Sequence, residues 1–406
     1  MIKVKKEGII LESTELEFEN QAVLNPTILQ QGNILHLFYR AVRSGNYSSI
    51  GYCRLEGPLN IVERAKIPVM SPEYEYEQHG LEDPRIVLLD GVYYMFYTAY
   101  NGKNALIAYA TSEDLKTWKK HGIISPQITY DEAEKFFRMS KLKERYFFFE
   151  SYYKDIIAPD VLLWEKDSFL FPKKINGKFA LIHRILPDIQ IIYFDDFSQL
   201  TLDYWKEYLK HLGDFVILEA NHGYESRNIG AGAPLIETKM GWLMIYHAVE
   251  DTNQGKTYSA SAALLDRNNP QKVLGRLKKP LFTPTEDYEK FGDVGNVVFP
   301  SGTAIFDDRL YIYYGAADSR IAAVSVNLNE ILKELLITKP EIEAEIGFLA
   351  GKIFEAAYEE ELSLENLINN LNEDKEKIMM ALGWLAREKK VIFRYDNSTI
   401  MIWTKD

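Results

Sequence analysis

One pattern constrains this chain more than any other. A tight turn runs into an alternating strand, and the strand ends in an aromatic or histidine followed by a small or polar residue. The pattern returns five times, at intervals of roughly 60 to 85 residues, so each copy reads as one supersecondary unit. The turns are Gly32-Asn33, Asp90-Gly91, Asn176-Gly177, Met240-Gly241 and Asp307-Asp308, and the strands after them run to Ala41, Ala99, Ile185, Ala248 and Ala316. Asp-Gly and Asn-Gly between alternating runs are strong hairpin signals. A shorter apolar run precedes each turn (Pro26–Leu29, Pro84–Leu89, Phe169–Pro172, Ala233–Ile236, Thr303–Phe306), and a further strand follows each copy. At least three antiparallel strands per unit, repeated in series, predict an all-β five-bladed β-propeller over residues 1–336. A β-sandwich does not require turn and strand-end chemistry to recur in phase.

A chain of 406 residues has room for a second, smaller domain. After Thr338-Lys-Pro the apolar period changes from two to 3.6: Ile346, Leu349, Ala350, Ile353, Phe354 and Ala357 share one helical face. Ser363 caps a second helix, and Ile378, Ala381, Leu382, Trp384 and Leu385 mark a third. Two strands around an Asp396-Asn-Ser turn complete a small α+β winged-helix domain over 340–406. Its acidic excess, with Glu373-Asp374 opening the third helix, favours protein contact or oligomerisation and makes nucleic acid an unlikely partner. The net charge of −12 points the same way. Residues 125–160 stand outside the repeat and read as helical and charged, by default a solvated insertion, otherwise a lid or an oligomer contact. A single cysteine, Cys53, allows no internal disulfide, and no long apolar run suggests a membrane span or a secretory leader, so a cytoplasmic protein is expected.

In a propeller, polar residues at corresponding ends of the inner strands converge on one mouth. Those residues are Asn25, Arg40, Asp83 with Arg85, Lys166 with Asp167, His183 with Arg184, His247, and Asp318. An Asp, several cations and abundant Tyr suit a sugar together with an oxyanion. Glycosyl transfer to water usually takes two carboxylates. With inorganic phosphate as nucleophile one carboxylate suffices, and cations take the place of the second. No His/Cys/carboxylate cluster has metal-ligand spacing, so no metal and no cofactor are expected beyond phosphate as co-substrate.

Asn25-Pro, Gly80-Leu-Glu-Asp-Pro-Arg85, Ile182-His-Arg184, Ile229-Gly-Ala-Gly-Ala-Pro234, Tyr246-His247, Gly295-Asn-Val-Val-Phe-Pro300 and Tyr313-Tyr-Gly-Ala-Ala-Asp318 together resemble glycoside hydrolase family 130, the β-mannoside phosphorylases and related β-mannosidases. The resemblance spans about residues 20–330. It implies inversion at the anomeric carbon, Asp83 as general acid acting through the mannose 3-hydroxyl, and sugar contacts from Asn25, Arg40, Arg85, Asp167 and Asp318. It also implies a phosphate site at Lys166, Arg184, Asn228 and His247. Here the family's cation pattern is altered: Lys166 stands for Arg, Asn228 has no charge, and Asp167 stands where Asn is usual. Arg227 neighbours Asn228. Phosphorolysis to α-mannose 1-phosphate is the first expectation. Hydrolysis with Glu250 or Asp167 as base is the second, and a non-catalytic sugar-binding regulator the third. The C-terminal segment resembles a winged helix-turn-helix family through Gly347–Ile353 and Ala381–Glu388.

Overall fold

The computed structural model describes residues 2–253, 255–337, 342–358, 361–371, 373–396 and 399–404. It forms two compact units, Met1–Thr338 and Lys339–Asp406. The Thr338-Lys-Pro junction and the centre of the Asp396-Asn-Ser turn lie outside the described residues.

The first unit is mostly antiparallel β structure, and its strands fall into five groups in chain order. Sheet I holds Ala22–Gln31, Ile34–Arg43, Tyr47–Glu56 and Asn60–Arg64; sheet II holds Gly80–Leu89, Val92–Tyr100, Ala105–Ser112 and Lys119–Ile123. A parallel bridge from Ser48 to Gly80 pairs these two. Sheet III is Lys166–Leu170, Phe179–Arg184, Ile189–Phe194 and Val216–Leu218. In sheet IV, Asn228–Ala231 and Ile236–Thr238 both pair with Gly241–Thr252, followed by Gly255–Leu265 and Val273–Arg276. Sheet V is Val298–Phe306, Arg309–Ala316, Arg320–Asn327 and, from the other end of the chain, Lys5–Leu11.

The turn chemistry acts as read. Asp90 and Gly91 have φ of 51° and 81°, Asn176 and Gly177 50° and 81°, Asp307 and Asp308 46° and 61°. Two successive positive φ angles match the twist of a two-residue hairpin, and Asn, Asp and Gly tolerate them best. The apolar run Ala233–Ile236 before its turn enters a strand only at Ile236, after a gap in the ladder that begins at Gly232. At Gly232 a Cβ would lie 2.6 Å from the Pro300 carbonyl oxygen and 2.7 Å from that of Ile245, so backbones from three segments meet here and the ladder breaks.

A second repeat lies beneath the first. Each sheet buries a glutamate that follows an aromatic residue: Phe18-Glu19, Tyr76-Glu77, Trp164-Glu165, Tyr224-Glu225 and Tyr288-Glu289. In four sheets it accepts a hydrogen bond from a buried tyrosine on the second strand: Tyr39 to Glu19 (2.6 Å), Tyr97 to Glu77 (2.7 Å), Tyr246 to Glu225 (2.8 Å) and Tyr314 to Glu289 (2.5 Å). A cation closes each cluster: Arg64, Lys120, Arg276 and, on Glu289, Lys6. Glu77, Glu225 and Glu289 also accept two backbone N–H groups apiece at the start of a short helical turn. In sheet III His183 replaces the tyrosine (2.6 Å to Glu165), and its other nitrogen meets the Tyr208 hydroxyl at 2.7 Å. Buried carboxylates persist only when paired and hydrogen-bonded, and the four with a cation hold turn, strand and outer strand together.

The 125–160 segment is not a solvated insertion. Its helices, Tyr130–Phe137 and Arg145–Ile156, bury Tyr130, Ala133, Phe137 and Tyr146 in the same core as Trp205, Tyr208 and Leu209 of a third helix, Leu202–Lys210. Thr129 and Thr201 cap two of these helices by accepting from Glu132 and Tyr204 N–H.

The second unit has helices Ile342–Ala356, Leu364–Leu371 and Lys375–Arg387, and a three-stranded sheet of Leu362–Ser363, Thr399–Thr404 and Val391–Asp396. Its core is Ile346, Leu349, Ile353, Leu367, Ile378, Leu382, Leu385 and Ile402. Trp384, read as part of the third helix's apolar face, is 43% exposed because it lies at the edge of that stripe.

Candidate active site

The first strand of each sheet is broken at a similar phase. Register shifts fall between Leu24 and Thr27, Glu82 and Arg85, Lys166 and Phe169, and Pro300 and Gly302, and sheet IV has its interruption after Ala231. At three of these breaks a non-glycine residue takes a left-handed conformation: Asn25 (φ 48°), Asp83 (51°) and Asp167 (58°). Asn and Asp accept this region more readily than other side chains, and a bulge re-aims the residue it contains. Proline follows Asn25 and Asp83, removing an N–H that the broken ladder would leave unpaired.

These residues meet across sheets. The Asn25 Nδ2 donates to Asp83 Oδ1 at 2.7 Å. Arg85 is fully buried; its Nη1 donates to the carbonyls of Asp83 and Pro84 (both 3.1 Å), and its Nε to that of Gly232 in sheet IV. Its Nη2 faces Asp167 Oδ1 at 3.9 Å, and Asp167 Oδ2 lies 3.0 Å from Arg184 Nε. Arg184 Nη1 is 3.3 Å from His247 Nε2, and His247 stacks on Phe299. Glu82 bridges Arg40 (2.8 Å) and Lys166 (3.1 Å), tying sheets I, II and III together.

The electrostatics follow from burial opposed by these partners. Burial would raise the Glu82 carboxyl, but Arg40 and Lys166 hold it below the usual range. Burial pushes the Asp318 carboxyl up to about 6 against the pull of Arg40, with Asp83, Asp293 and Glu82 adding to the rise. Burial, then Arg184 and Arg85, drive His247 well below its ordinary value, so it is a neutral imidazole at pH 7. Two glycines make the room. A Cβ on Gly315 would sit 2.1 Å from Asn25 Oδ1, and one on Gly230 would sit 2.3 Å from His247 Cε1 and 2.5 Å from Asp167 Oδ2.

Beside this network lies a cavity of about 250 Å³, lined by Arg184 and Asn228, by Arg227, Lys256 and Tyr258, and by an aromatic wall of Phe149, Tyr152, Tyr153 and Trp164. Asn25, Arg40, Asp83, Arg85, Lys166, Asp167, Arg184, His247 and Asp318 are thus linked by contact or charge, and Asn228 shares a wall with Arg184. Glu250 does not line the cavity. Sequence reasoning missed the aromatic wall and Lys256. The run Phe147–Tyr153 is rich enough in aromatics to have signalled more than a solvated helix. Asp131, Glu134 and Glu150 bring three carboxylates together elsewhere, but Lys154 contacts two of them at 2.5 and 2.6 Å and Arg138 a third.

A left-handed Asp anchored by a neighbouring Asn, set in a net of buried cations on β sheets, suits a carbohydrate-active enzyme of the glycoside hydrolase type. The chain belongs to glycoside hydrolase family 130: residues 8–336 match that family's model, described as beta-1,4-mannooligosaccharide phosphorylase, and residues 341–404 match a winged helix-turn-helix domain. It is 35% identical over 344 residues to a 1,2-beta-oligomannan phosphorylase of Thermoanaerobacter (82% of this chain, 99% of that protein). It is 34% identical to a beta-1,2-mannobiose phosphorylase of the same organism (82% and 98%). The solved beta-1,2-mannobiose phosphorylase of Listeria innocua shares the fold with a TM-score of 0.62 at 24% identity, covering 83% of this chain and 100% of that one. The family is that of enzymes acting on β-mannosides, and among the described residues no helix is long and apolar enough to cross a membrane.

Proposed function

We propose that the chain is an inverting β-mannoside phosphorylase that transfers a terminal mannosyl group from a β-1,2-linked manno-oligosaccharide to inorganic phosphate, giving α-mannose 1-phosphate. The observation that carries this reading is the pairing of one acid with many cations: Asp83 is held by Asn25, and Arg184, Arg227 and Lys256 stand around a cavity large enough for an oxyanion. The β-1,2 preference comes from the relatives that match along nearly their whole length. In the reaction the glycosidic C1–O bond breaks while a phosphate oxygen bonds C1 from the opposite face. Asp83 gives its proton to the departing oxygen, directly or through the mannose 3-hydroxyl, and the proton of hydrogen phosphate returns to solvent. Asn25, Arg40, Arg85, Asp167 and Asp318 serve the sugar, and Lys166, Arg184, Asn228 and His247 the phosphate side.

The five sheets are read as the blades of a propeller, with domain limits at 1–336 and 340–406. Support comes from the sheets, which neighbour one another in the cyclic order I, II, III, IV, V, I, through their first strands except between IV and V, where Gly241–Thr252 and Gly255–Leu265 meet Val298–Phe306, and from Lys5–Leu11 closing sheet V. Inter-sheet bonds follow the same order: Ile86 N–H to Thr27 Oγ1, Ile229 N–H to the Pro187 carbonyl, Tyr258 N–H to that of Asn296, and Ser301 Oγ to that of Pro26. A cytoplasmic location and self-association through the second unit or the insertion belong to the same reading.

One observation favours hydrolysis instead: Asp167 is a second buried carboxylate in the network, and while its Oδ2 is paired with Arg184 at 3.0 Å, its Oδ1 has only Arg85 at 3.9 Å, which leaves that oxygen able to act as a base. Incubation with β-1,2- and β-1,4-mannobiose, followed by phosphorus NMR, separates the readings. α-Mannose 1-phosphate from the β-1,2 substrate is expected, and free mannose as the sole product sinks the proposal.

A further inference from the structure

We infer that this chain grips its anion from the insertion side, with Arg227 and Lys256 acting beside Arg184 under the helix Arg145–Ile156; the inference rests on the phosphorolytic reading. Of the four positions that the family resemblance gives for phosphate, Arg184 alone is both charged and on the cavity wall. Lys166 is held by Glu82 at 3.1 Å, His247 is fully buried and neutral, and Asn228 carries no charge. The two added cations sit where that charge is missing.

Arg227 is built into place. Its guanidinium lies over the rings of Tyr152 (5.1 Å) and Phe149 (5.5 Å) of the insertion helix, and its Nη1 donates to both Asp251 carboxylate oxygens at 3.2 and 3.3 Å. At the start of that helix, Arg145 donates to the carbonyls of Ser226 and Arg227, so the helix and the Arg227 segment are fixed to each other. The strand before Tyr258 presents Lys256, whose Cα partner across the ladder is Asp251. No carboxylate is within ion-pair distance of Lys256 among the described residues.

The charge count then favours an anion. Arg184 is matched by Asp167 and Arg227 by Asp251, which leaves the Lys256 ammonium in excess at the cavity. Asp251 is 53% exposed, so solvent screens its hold on Arg227 and leaves that guanidinium able to face a ligand. Guanidinium groups fork onto phosphate oxygens, and a lysine supplies a point charge, so this trio suits a phosphate dianion whose affinity the neutral Asn228 would otherwise weaken.

The test uses the full chain with Lys256→Met, Arg227→Met, both together, and Lys256→Arg. Two readouts are taken: the KM for phosphate during phosphorolysis of β-1,2-mannobiose, and calorimetric binding of inorganic phosphate without sugar. Each Met variant should raise the phosphate KM and Kd about tenfold or more, the loss of one charge-assisted contact, while the mannobiose KM stays within about twofold. Lys256→Arg should restore most of the affinity. If the native chain phosphorolyses mannobiose and the variants keep its phosphate KM and Kd, the inference is wrong and the phosphorolytic reading stands. If the native chain binds phosphate, the variants lose it, and no sugar phosphate forms, the anion site stands and that reading falls. A native chain that neither binds phosphate nor forms a sugar phosphate overturns both.

Discussion

The chain buries carboxylates in two ways. The glutamates of the aromatic-Glu clusters are saturated: Glu77 accepts from Tyr97, Lys120 and two backbone N–H groups, and Glu225 and Glu289 are held alike. The central residues are not. Asn25 Oδ1, Arg85 Nη2 and His247 Nδ1 are buried without a protein hydrogen-bond partner among the described residues, and Asp167 is held only by ion-pair contacts, to Arg184 Nε at 3.0 Å and Arg85 Nη2 at 3.9 Å. The same residue types therefore do different work. Saturated carboxylates fix backbone, whereas the under-satisfied central groups keep hydrogen-bonding capacity. Sheet III stands between the two: its Glu165 keeps one oxygen without a partner, and its neighbours in sequence are Lys166 and Asp167.

The contrast can be broken from either side. Asp83→Asn should lower mannosyl transfer by about a thousandfold or more with little change in Tm, because it removes the acid and not the packing. Steady-state rates and a melt on the same preparation check this; retained turnover would take the acid role from Asp83. Glu77→Ala should do the reverse. It strands Lys120, Tyr97 and two N–H groups, costs about 3–5 kcal/mol in a denaturant melt, and leaves the rate per folded molecule near native.

Gly315→Ala probes the join between the two classes. The new Cβ would collide with Asn25, displace the side chain that holds Asp83, and cost about tenfold to a hundredfold in kcat/KM for a smaller loss of stability. The smallest effect concerns pH. Because the Asp318 carboxyl is raised from 3.8 to about 6, the folded state binds the proton more tightly than the unfolded one. Native stability therefore falls as pH rises through that window, and is restored below it. Asp318→Asn should flatten the dependence of Tm on pH between about 4 and 6, and an unchanged slope would assign it to other groups.

Part of this could be read from residues alone. The hairpins were legible because Asp90-Gly91, Asn176-Gly177 and Asp307-Asp308 must turn with positive φ whatever surrounds them. The charged residues at the strand ends were legible as a convergent set because five units repeat in phase. The strand Lys5–Leu11 was not, since its partner Arg320–Asn327 lies at the far end of the unit. The aromatic-Glu clusters escaped because each glutamate, its tyrosine and its cation lie far apart in sequence, although the dipeptide itself recurs and was there to count. The insertion was misjudged because charge along Asp131–Arg138 masked the aromatic face that follows it. Asn228 reads as a lost charge, whereas the position of Lys256 on the same cavity wall depends on a strand pairing with Asp251 that the residues alone do not reveal.

The account rests on an anion taking the place of a second carboxylate. The most direct measurement is the initial rate of β-1,2-mannobiose cleavage against phosphate concentration, extrapolated to zero. A rate that saturates with phosphate and vanishes without it, with α-mannose 1-phosphate as the product, is expected. A rate that persists at zero phosphate and yields free mannose would contradict it.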